Sequence, residues 1–325
     1  MIKRLLLWLV TLLLTAAGTF ADAQQAGKVP RIGYLSNARF SDIPYRVEAF
    51  RQGLRELGYV EGKNIVIEWR SGTNDQIPGL VAELVRLKVD VIVSAAATLT
   101  RFAKAATSTI PIVMAQDTDP VGRGFVASLA RPGGNITGLS TMAPELNGKR
   151  LEILKEVVFR LSRVAVFETS TPGSVQVSKE IEIAAETLKV NIQHFDVLDP
   201  RDFETAFREA SKARVDAVLM DVAGPVSIPN QKKTADLAVK SRLPVMYRRL
   251  QDVEAGGLMS YGVNLNDLDR RAATYVDKIL KGRTPADLPV EQPTKFEFII
   301  NLKAAKQIGL TIPPNVLVRA DKVIK

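Results

Sequence analysis

The amino-acid sequence predicts an α/β fold built from two doubly wound parallel-sheet lobes. Short β-branched runs alternate with amphipathic helical stretches from Pro30 onward, which is typical of βαβ units and a mostly parallel sheet. The same order of elements starts again after a long helix predicted at 145–158. A chain of 325 residues, 46% of them hydrophobic, has enough apolar material for two cores.

The predicted elements follow from hydrophobic periodicity. In the first helix Val47, Phe50 and Leu54 recur at helical spacing, and Gly58 ends it. Strands are expected at 31–36, 64–70, 89–95, 110–116, 136–140, 163–169, 191–197, 215–222 and 243–248. Helices are expected at 44–57, 76–88, 98–108, 120–130, 145–158, 175–188, 202–213 and 230–241. The tail adds a strand, a helix at 265–280, and a further strand and helix, which does not continue the second series simply.

The N-terminus has the pattern of a cleavable signal peptide over residues 1–23. Lys3 and Arg4 precede an apolar run at 5–17, and Ala21-Asp22-Ala23 forms an A-x-A site. The apolar run is shorter than the roughly 20 residues that span a bilayer. The chain has no cysteine, so it can carry neither a disulfide nor a lipid anchor after the signal. These features predict export to a periplasm as a soluble protein.

The formal net charge of +9 comes from scattered lysines and arginines rather than from a basic run. We therefore interpret it as a solvated basic surface and expect no nucleic-acid partner. A mild preference for anionic ligands stays open.

The residues that follow the strands indicate binding rather than catalysis. Ligands of open α/β sheets lie outside the carboxyl ends of the strands, and those positions here are rich in hydroxyls and amides. The single histidine, His194, lies within a strand pattern, and no G-x-S-x-G elbow, Walker A sequence or zinc-ligand cluster is present. We therefore predict a protein that is not an enzyme and that has no metal site and no cofactor.

The segment "IPIVMAQDTDPVG" allows two interpretations of its aspartates. Asp117 and Asp119 could chelate Mg²⁺ after a strand, as in phosphoryl-transfer enzymes. Asp119 followed by Pro120 is also a helix start, with the aspartate as N-cap and the proline at the first helical position. We favour the cap for Asp119 and leave Asp117 open between ligand contact and loop stabilisation.

The chain resembles the ABC-transporter substrate-binding family that includes tryptophan- and tyrosine-binding members. The segments that carry the resemblance are "RIGYLS", "FRQGLRELGYVEGKNIVIEWR", "LVAELVRLKVDVIVSAAA", "ATSTIPIVMAQDTDPVGRGFVASLARPGGNITGLS" and "KRLEILKEV". The resemblance implies a type I periplasmic binding protein, whose two lobes are joined by a three-strand hinge and close on a small molecule. The crossings implied lie near 139–142, 260–263 and 289–296. Lobe 1 would comprise 28–141 with 262–288, and lobe 2 would comprise 142–261 with 289–325.

The resemblance also implies ligand contacts at the strand ends. They are Ser36, Asn37, Ala97, Thr98, Gln116, Asp117, Thr169, Ser170, Asp221, Tyr247 and Tyr261. In amino-acid-binding members a carboxylate pairs with the ligand ammonium, a role open to Asp221 or Asp117. The hydroxyls of Ser36, Thr98, Thr169 and Ser170 could bind the ligand carboxylate. Arg39 and Arg248 would favour a carboxylate-rich ligand if they point into the cleft.

The implied function is solute capture for an ABC importer. The ligand would be an amino acid, aromatic or not, or a related carboxylate, and the partner would be an ABC permease in the inner membrane. We expect a monomer. The alternatives are presentation of the ligand to a membrane sensor and a Mg²⁺-dependent hydrolase using Asp117 and Asp119.

Overall fold

The structure is a computed structural model that describes residues 28–170, 175–222 and 224–325. The predicted signal peptide, residues 1–23, lies outside these ranges. The strands are β1 (Arg31–Ser36), β2 (Val66–Ser71), β3 (Val91–Ser94), β4 (Ile112–Asp117), β5 (Ile136–Ser140), β6 (Arg163–Glu168), β7 (Asn191–Asp196), β8 (Ala217–Asp221), β9 (Val245–Tyr247), β10 (Met259–Val263), β11 (Phe296–Asn301) and β12 (Lys322–Ile324). The helices are α1 (Pro44–Glu56), α2 (Ile77–Arg86), α3 (Ala97–Ala106), α4 (Ala143–Val157), α5 (Val175–Leu188), α6 (Asp202–Lys212), α7 (Gly224–Ser227), α8 (Gln231–Ser241), α9 (Leu250–Glu254), α10 (Leu265–Leu280), α11 (Leu302–Ile308) and α12 (Pro314–Leu317). None of the described helices is both long enough and apolar enough to span a membrane.

The strands form two separate sheets, which confirms the predicted fold class. The first lobe is built on a five-stranded parallel sheet of order β2-β1-β3-β4-β5. The second lobe is built on a seven-stranded sheet of order β12-β11-β10-β9-β8-β6-β7. One pairing in the second sheet, β10 with β11, is antiparallel, so that sheet is mixed rather than wholly parallel.

Strand alternation places a separate core on each face of the second sheet. Val164 and Val166 of β6 lie in one cluster, whereas Ala165 and Phe167 lie in the other. All four are fully buried, as expected of a strand covered on both faces. The first sheet has its own cluster, to which the late helix α10 also contributes.

The chain passes between the two sheets three times, in the described regions after β5, after β10 and before β11. Two of these crossings are hydrogen-bonded to each other. The N–H of Ser140 donates to the carbonyl of Glu291 at 2.9 Å, and the N–H of Glu291 donates to the carbonyl of Gly138 at 3.0 Å. The implied crossings near 139–142 and 289–296 overlap the connections after β5 and before β11, whereas 260–263 lies within β10 itself. The lobe boundaries stay a prediction.

Helix α10 returns to the first lobe and packs against α1 and β4. The two helices approach closely at Gly53, where an added Cβ would lie 2.2 Å from the carbonyl oxygen of Arg270. A side chain at position 53 would therefore separate the helices. This packing carries Asp269, on the buried side of α10, into the interior of the first lobe.

The predicted helix at 120–130 is wrong, because this stretch is a series of turns. Asp119 does act as a cap: its Oδ1 accepts the N–H of Gly122 at 2.9 Å. A Cβ at Gly122 would lie 2.1 Å from Asp119 Oδ2, so only glycine admits this capping geometry. Gly124 then takes φ +65°, a left-handed conformation that ends any helix at its first turn.

Candidate ligand-binding cleft

A cavity of about 360 Å³ lies between the two lobes, at the carboxyl ends of their central strands. This is the position where α/β sheets bind ligands, and the volume suits a small organic molecule. The residues of the first lobe and the crossings that line it are Asn37, Arg46, Asn74, Ala95, Ala96, Ala97, Thr98, Gln116, Thr118, Arg123, Thr141, Val263 and Leu265. The lining residues of the second lobe are Leu146, Arg150, Thr169, Val177, Leu198, Asp221, Val222, Gly224, Pro225, Val226, Ile228, Arg248 and Arg249.

Six of the eleven predicted contact residues come together here. They are Asn37, Ala97, Thr98, Gln116, Thr169 and Asp221. Ala97 and Thr98 begin α3, so the positive end of that helix faces the cavity. Residues of both lobes therefore line the same cavity. The N-terminus of α3 makes its side of the cavity favourable for an anion.

Two predicted residues of the first lobe lie behind the cavity wall instead. The hydroxyl of Ser36 donates to the carbonyl of Ala38 at 2.7 Å and accepts the N–H of the same residue, which fixes the turn after β1. Asp117 is fully buried, and its Oδ1 accepts the N–H of Asp119 at 3.2 Å. The loop-stabilising interpretation of Asp117 matches this position.

Three predicted residues of the second lobe also lie outside the lining. The N–H of Ser170 donates to Asp196. Tyr247 is 1% exposed and packs in the core, because alternation along β9 turns it away from the cleft. Tyr261 stacks on Phe296, and its carbonyl, rather than its ring, contacts a lining residue, Arg150.

A buried ion-pair network supports the first-lobe wall. Arg46 Nε donates to Asp269 Oδ2 at 2.8 Å, and Tyr34 and Gln116 donate to the same carboxylate at 2.8 and 2.7 Å. Asp269 is fully buried and Arg46 is 6% exposed. Burial and the negative charge of Asp269 raise the pKa of the Tyr34 hydroxyl, so it remains a donor. One carboxylate thus joins α10 to α1, β1 and β4.

The carboxyl group of Asp117, behind this wall, is buried where its ionised form is disfavoured. Burial raises its pKa from 3.8 to about 6, while Arg123 and the N–H of Asp119 act in the opposite direction. At neutral pH the group is therefore ionised in a site that favours its protonated form.

Arg150 is the least expected residue of the second-lobe wall. It is 2% exposed, its Nε donates to the carbonyl of Tyr261 at 2.7 Å, and its Nη1 donates to Asn147 Oδ1 at 2.6 Å. Burial and, to a smaller extent, the positive charge of Arg248 lower its pKa to about 9, so the guanidinium stays charged at neutral pH. No carboxylate within the described ranges lies at ion-pair distance from it.

The neighbouring arginines of this wall already have acidic partners. Arg248 Nη1 lies 3.1 Å from Asp221 Oδ1, in an angle too poor for a hydrogen bond. Arg249 contacts both oxygens of Asp252 at 3.1 Å and donates to Ser227.

The remaining second-lobe lining is aliphatic. Besides Thr169 and Gly224, it consists of Leu146, Val177, Leu198, Val222, Pro225, Val226 and Ile228. No aromatic ring lines the cavity among the residues that the structure describes. This wall can pack against the apolar body of a ligand while the arginines bind its charged end.

Sequence reasoning missed Arg150 because an arginine in an amphipathic helix usually faces solvent. A signal was nevertheless present. Asn147 and Arg150 share the face of α4 that carries Leu151 and Leu154, all of them buried. A charged residue at a core position of a helix is a candidate for function.

His194 and the described acids do not form a reaction centre at the cavity. His194 Nδ1 lies 2.9 Å from Glu168 Oε1, neither residue lines the cavity, and this contact raises the pKa of the imidazole. Within the described ranges no group of three or more histidine, cysteine or acidic side chains is placed to hold a metal ion.

Comparisons with known proteins agree with this architecture. A family model described as "ABC transporter substrate binding protein" matches residues 43–324. The "Tyrosine-binding protein" of Clostridioides difficile (strain R20291) is 25% identical over 293 residues, covering 87% of this chain and 82% of the relative. A conserved domain protein of Vibrio cholerae is 27% identical with a TM-score of 0.83, covering 91% of this chain and all of the other.

A second solved structure was determined with a ligand. It is the ABC domain in complex with L-Trp from Streptococcus pneumonia, which is 26% identical with a TM-score of 0.82 and covers 91% of this chain and 99% of that one. The two-lobed α/β architecture is that of a type I periplasmic binding protein. Because the family model spans most of the sequence, the chain belongs to the ABC transporter substrate-binding protein family.

Proposed function

We propose that this protein is the periplasmic solute-binding component of an ABC importer. The observation that carries the proposal is the cavity between the lobes, which is lined by side chains from both. A solute held there contacts the two lobes together only when they approach each other, so its binding energy favours the closed form. Export rests on the sequence of residues 1–23, and the partner is an ABC permease of the inner membrane.

The proposed ligand is an amino acid or a related carboxylate. One relative is named for tyrosine binding and one solved structure holds L-Trp, so small carboxylate-bearing solutes are the class that supports the proposal best. Five arginines line the described part of the cavity against one acid, Asp221. That charge balance favours a ligand with at least one carboxylate.

The hydrolase alternative is not favoured by the geometry of its two aspartates. Asp117 is fully buried and bound to the loop that follows it, and Asp119 Oδ1 is occupied by the N–H of Gly122. Each carboxylate therefore has a structural partner within the loop. No observation favours presentation of the ligand to a sensor over transport.

The test is ligand-induced stabilisation followed by uptake. The chain from residue 24 onward is melted with panels of amino acids, organic acids and sugars; a ligand at 100 times its Kd adds about 2.7 kcal/mol to stability. A solute found in this way is then offered to cells with and without the gene. We expect stabilisation by a carboxylate-bearing solute and slower uptake without the gene. Absence of stabilisation by every panel overturns the proposal, and uptake unchanged by the deletion overturns its transport part.

A further inference from the structure

We infer that the cleft is built for a carboxylate with an apolar body and no ammonium group, rather than for an α-amino acid. The inference deepens the proposed function and rests on it. It follows from the charges around the cavity. One buried arginine has no acidic partner, whereas each nearby acid lies at ion-pair distance from a cation or accepts hydrogen bonds within the protein.

The positive charge available to a ligand is that of Arg150. Its Nε and Nη1 bind neutral acceptors, Tyr261 O and Asn147 Oδ1, whereas no acceptor among the described residues is bound to Nη2. The side chain is 2% exposed and lines the cavity. A desolvated guanidinium held in this way has one free edge, and a carboxylate is the ligand group whose geometry and charge match it.

The one acid that lines the described cavity, Asp221, is a poor ammonium receptor. Arg248 Nη1 lies 3.1 Å from its Oδ1, and Arg150 is close enough to interact with both charges. Arg150, Arg248 and Asp221 together carry one net positive charge. An ammonium at Asp221 would be the third cation around a single carboxylate, whereas an anion restores neutrality.

The other acids near the lining are hydrogen-bonded to side chains of the protein. Asp269 is bound by Arg46, Tyr34 and Gln116. Asp252 is bound by Arg249 and Gln231.

Asp117 and the residues outside the described ranges add no acid to the lining. Asp117 lies behind the wall, fully buried, and does not line the cavity. After residue 28, the residues outside the described ranges are Thr-Pro-Gly-Ser at 171–174 and Ala223, and none of them is acidic.

The aliphatic residues of the second lobe define the other end of the ligand. Val177, Val222 and Val226 line the cavity on the same side as Arg150. A hydrocarbon chain or ring gains from contact with them, while a second charged group would lose its hydration there without a partner. The inferred class is therefore a small monocarboxylic acid with an apolar tail.

Matched trios of commercial compounds test the inference on the unmodified mature protein. One trio is 4-methylpentanoate, leucine and 3-methylbutylamine; the other is 3-phenylpropanoate, phenylalanine and phenethylamine. Calorimetric titration should give the tightest binding for the acid of a trio, binding weaker by about tenfold or more for the amino acid, and none for the amine. An amino acid that binds as tightly as its acid or more tightly overturns the inference but leaves the proposed function intact. If neither trio nor any solute of the wider panels binds, both fail.

Two variants and a matched control locate the carboxylate. Arg150→Met removes the charge, Arg150→Lys keeps it without the planar fork, and Lys149→Met removes one exposed positive charge from the same helix. The acid that binds the unmodified protein should lose about 100-fold in affinity with methionine and about tenfold with lysine at position 150, and less than twofold in the control. If Arg150→Met does not fold, the lysine variant decides: affinity unchanged from the parent contradicts the inference.

Discussion

Two buried arginines of the cleft, one in each lobe, differ in the groups that bind them. In the first lobe Arg46 is held by Asp269, which also binds Tyr34 and Gln116. In the second lobe Arg150 has only neutral partners and reaches the cavity. Both arginines are almost completely buried, at 6% and 2% exposure. The difference therefore lies in the counter-ion and not in access to solvent.

The difference in counter-ion indicates that one arginine stabilises the fold and the other binds the ligand. A buried cation with its own carboxylate holds elements together, because removal of either partner leaves an uncompensated charge. A buried cation without one stores an unfavourable interaction that an anionic ligand relieves. We therefore expect the first-lobe pair to control stability and the second-lobe arginine to control affinity.

The largest effect is expected from Asp269→Asn, which leaves Arg46 charged and buried without a counter-ion. The free energy of unfolding should fall by about 3 to 5 kcal/mol. Trp69 is the only tryptophan after residue 23, and its ring lies 4.9 Å from that of Tyr34, so its fluorescence during urea denaturation reports on this lobe.

The control for that experiment is Asp267→Asn on the same helix. Asp267 is 43% exposed and pairs with Arg270 at the surface, so its loss should change stability by less than about 1 kcal/mol. Equal destabilisation by the two substitutions would contradict a special role for the buried pair.

A smaller, pH-dependent effect is expected at Asp117. Its pKa is raised to about 6 in the folded protein, against an ordinary value of 3.8, so the folded state binds the proton more tightly than the unfolded state. Stability from this group is therefore greatest at low pH and falls as the pH rises through about 6. Relative to Asp117→Asn, the unmodified protein should lose up to about 3 kcal/mol between pH 4 and pH 7.

Urea denaturation of both proteins across that pH range measures the difference. Because Asp117 lies behind the wall, the substitution should leave ligand affinity within about twofold. A pH-independent difference would show that the buried carboxyl is not the titrating group. A large loss of affinity would show that Asp117 contributes to ligand binding.

A modest effect on affinity is expected from Leu198→Ala in the aliphatic wall. Leu198 lines the cavity but is 58% exposed, so it contributes little to stability. Affinity for an acid with an apolar tail should weaken by about fivefold, corresponding to about 1 kcal/mol. Acetate, which has no tail, should be unaffected. Val318→Ala, at an 82% exposed position outside the cavity, is the control, and an effect as large there would contradict the assignment.

Much of the fold could be predicted because its elements are locally consistent. Helix α10 lies at 265–280 as predicted, where a strong amphipathic pattern and the cap at Asn264 agree. The predicted helix at 120–130 failed because Asp119 and Pro120 satisfy the rules for a helix start, while Gly122 and Gly124 permit a turn that competes with it.

The cleft could be predicted only in part, for a related reason. Strand ends are visible in sequence, and they led to Thr98, Gln116 and Asp221. Arg150 lies in the middle of a helix, and its approach to the cavity depends on how that helix packs beneath the second sheet. Such packing is a tertiary property that residue spacing indicates only when a polar residue occupies a core position.

The substitution Asp221→Asn distinguishes recognition of a carboxylate from recognition of an ammonium group, because the two predict opposite changes in affinity. If Arg150 and Arg248 bind a carboxylate, removal of the negative charge beside them should tighten binding of the preferred acid by about threefold in calorimetric titrations. If Asp221 is instead the receptor for a ligand ammonium, the same substitution should weaken binding of an amino acid by about tenfold or more, and that result would contradict the account.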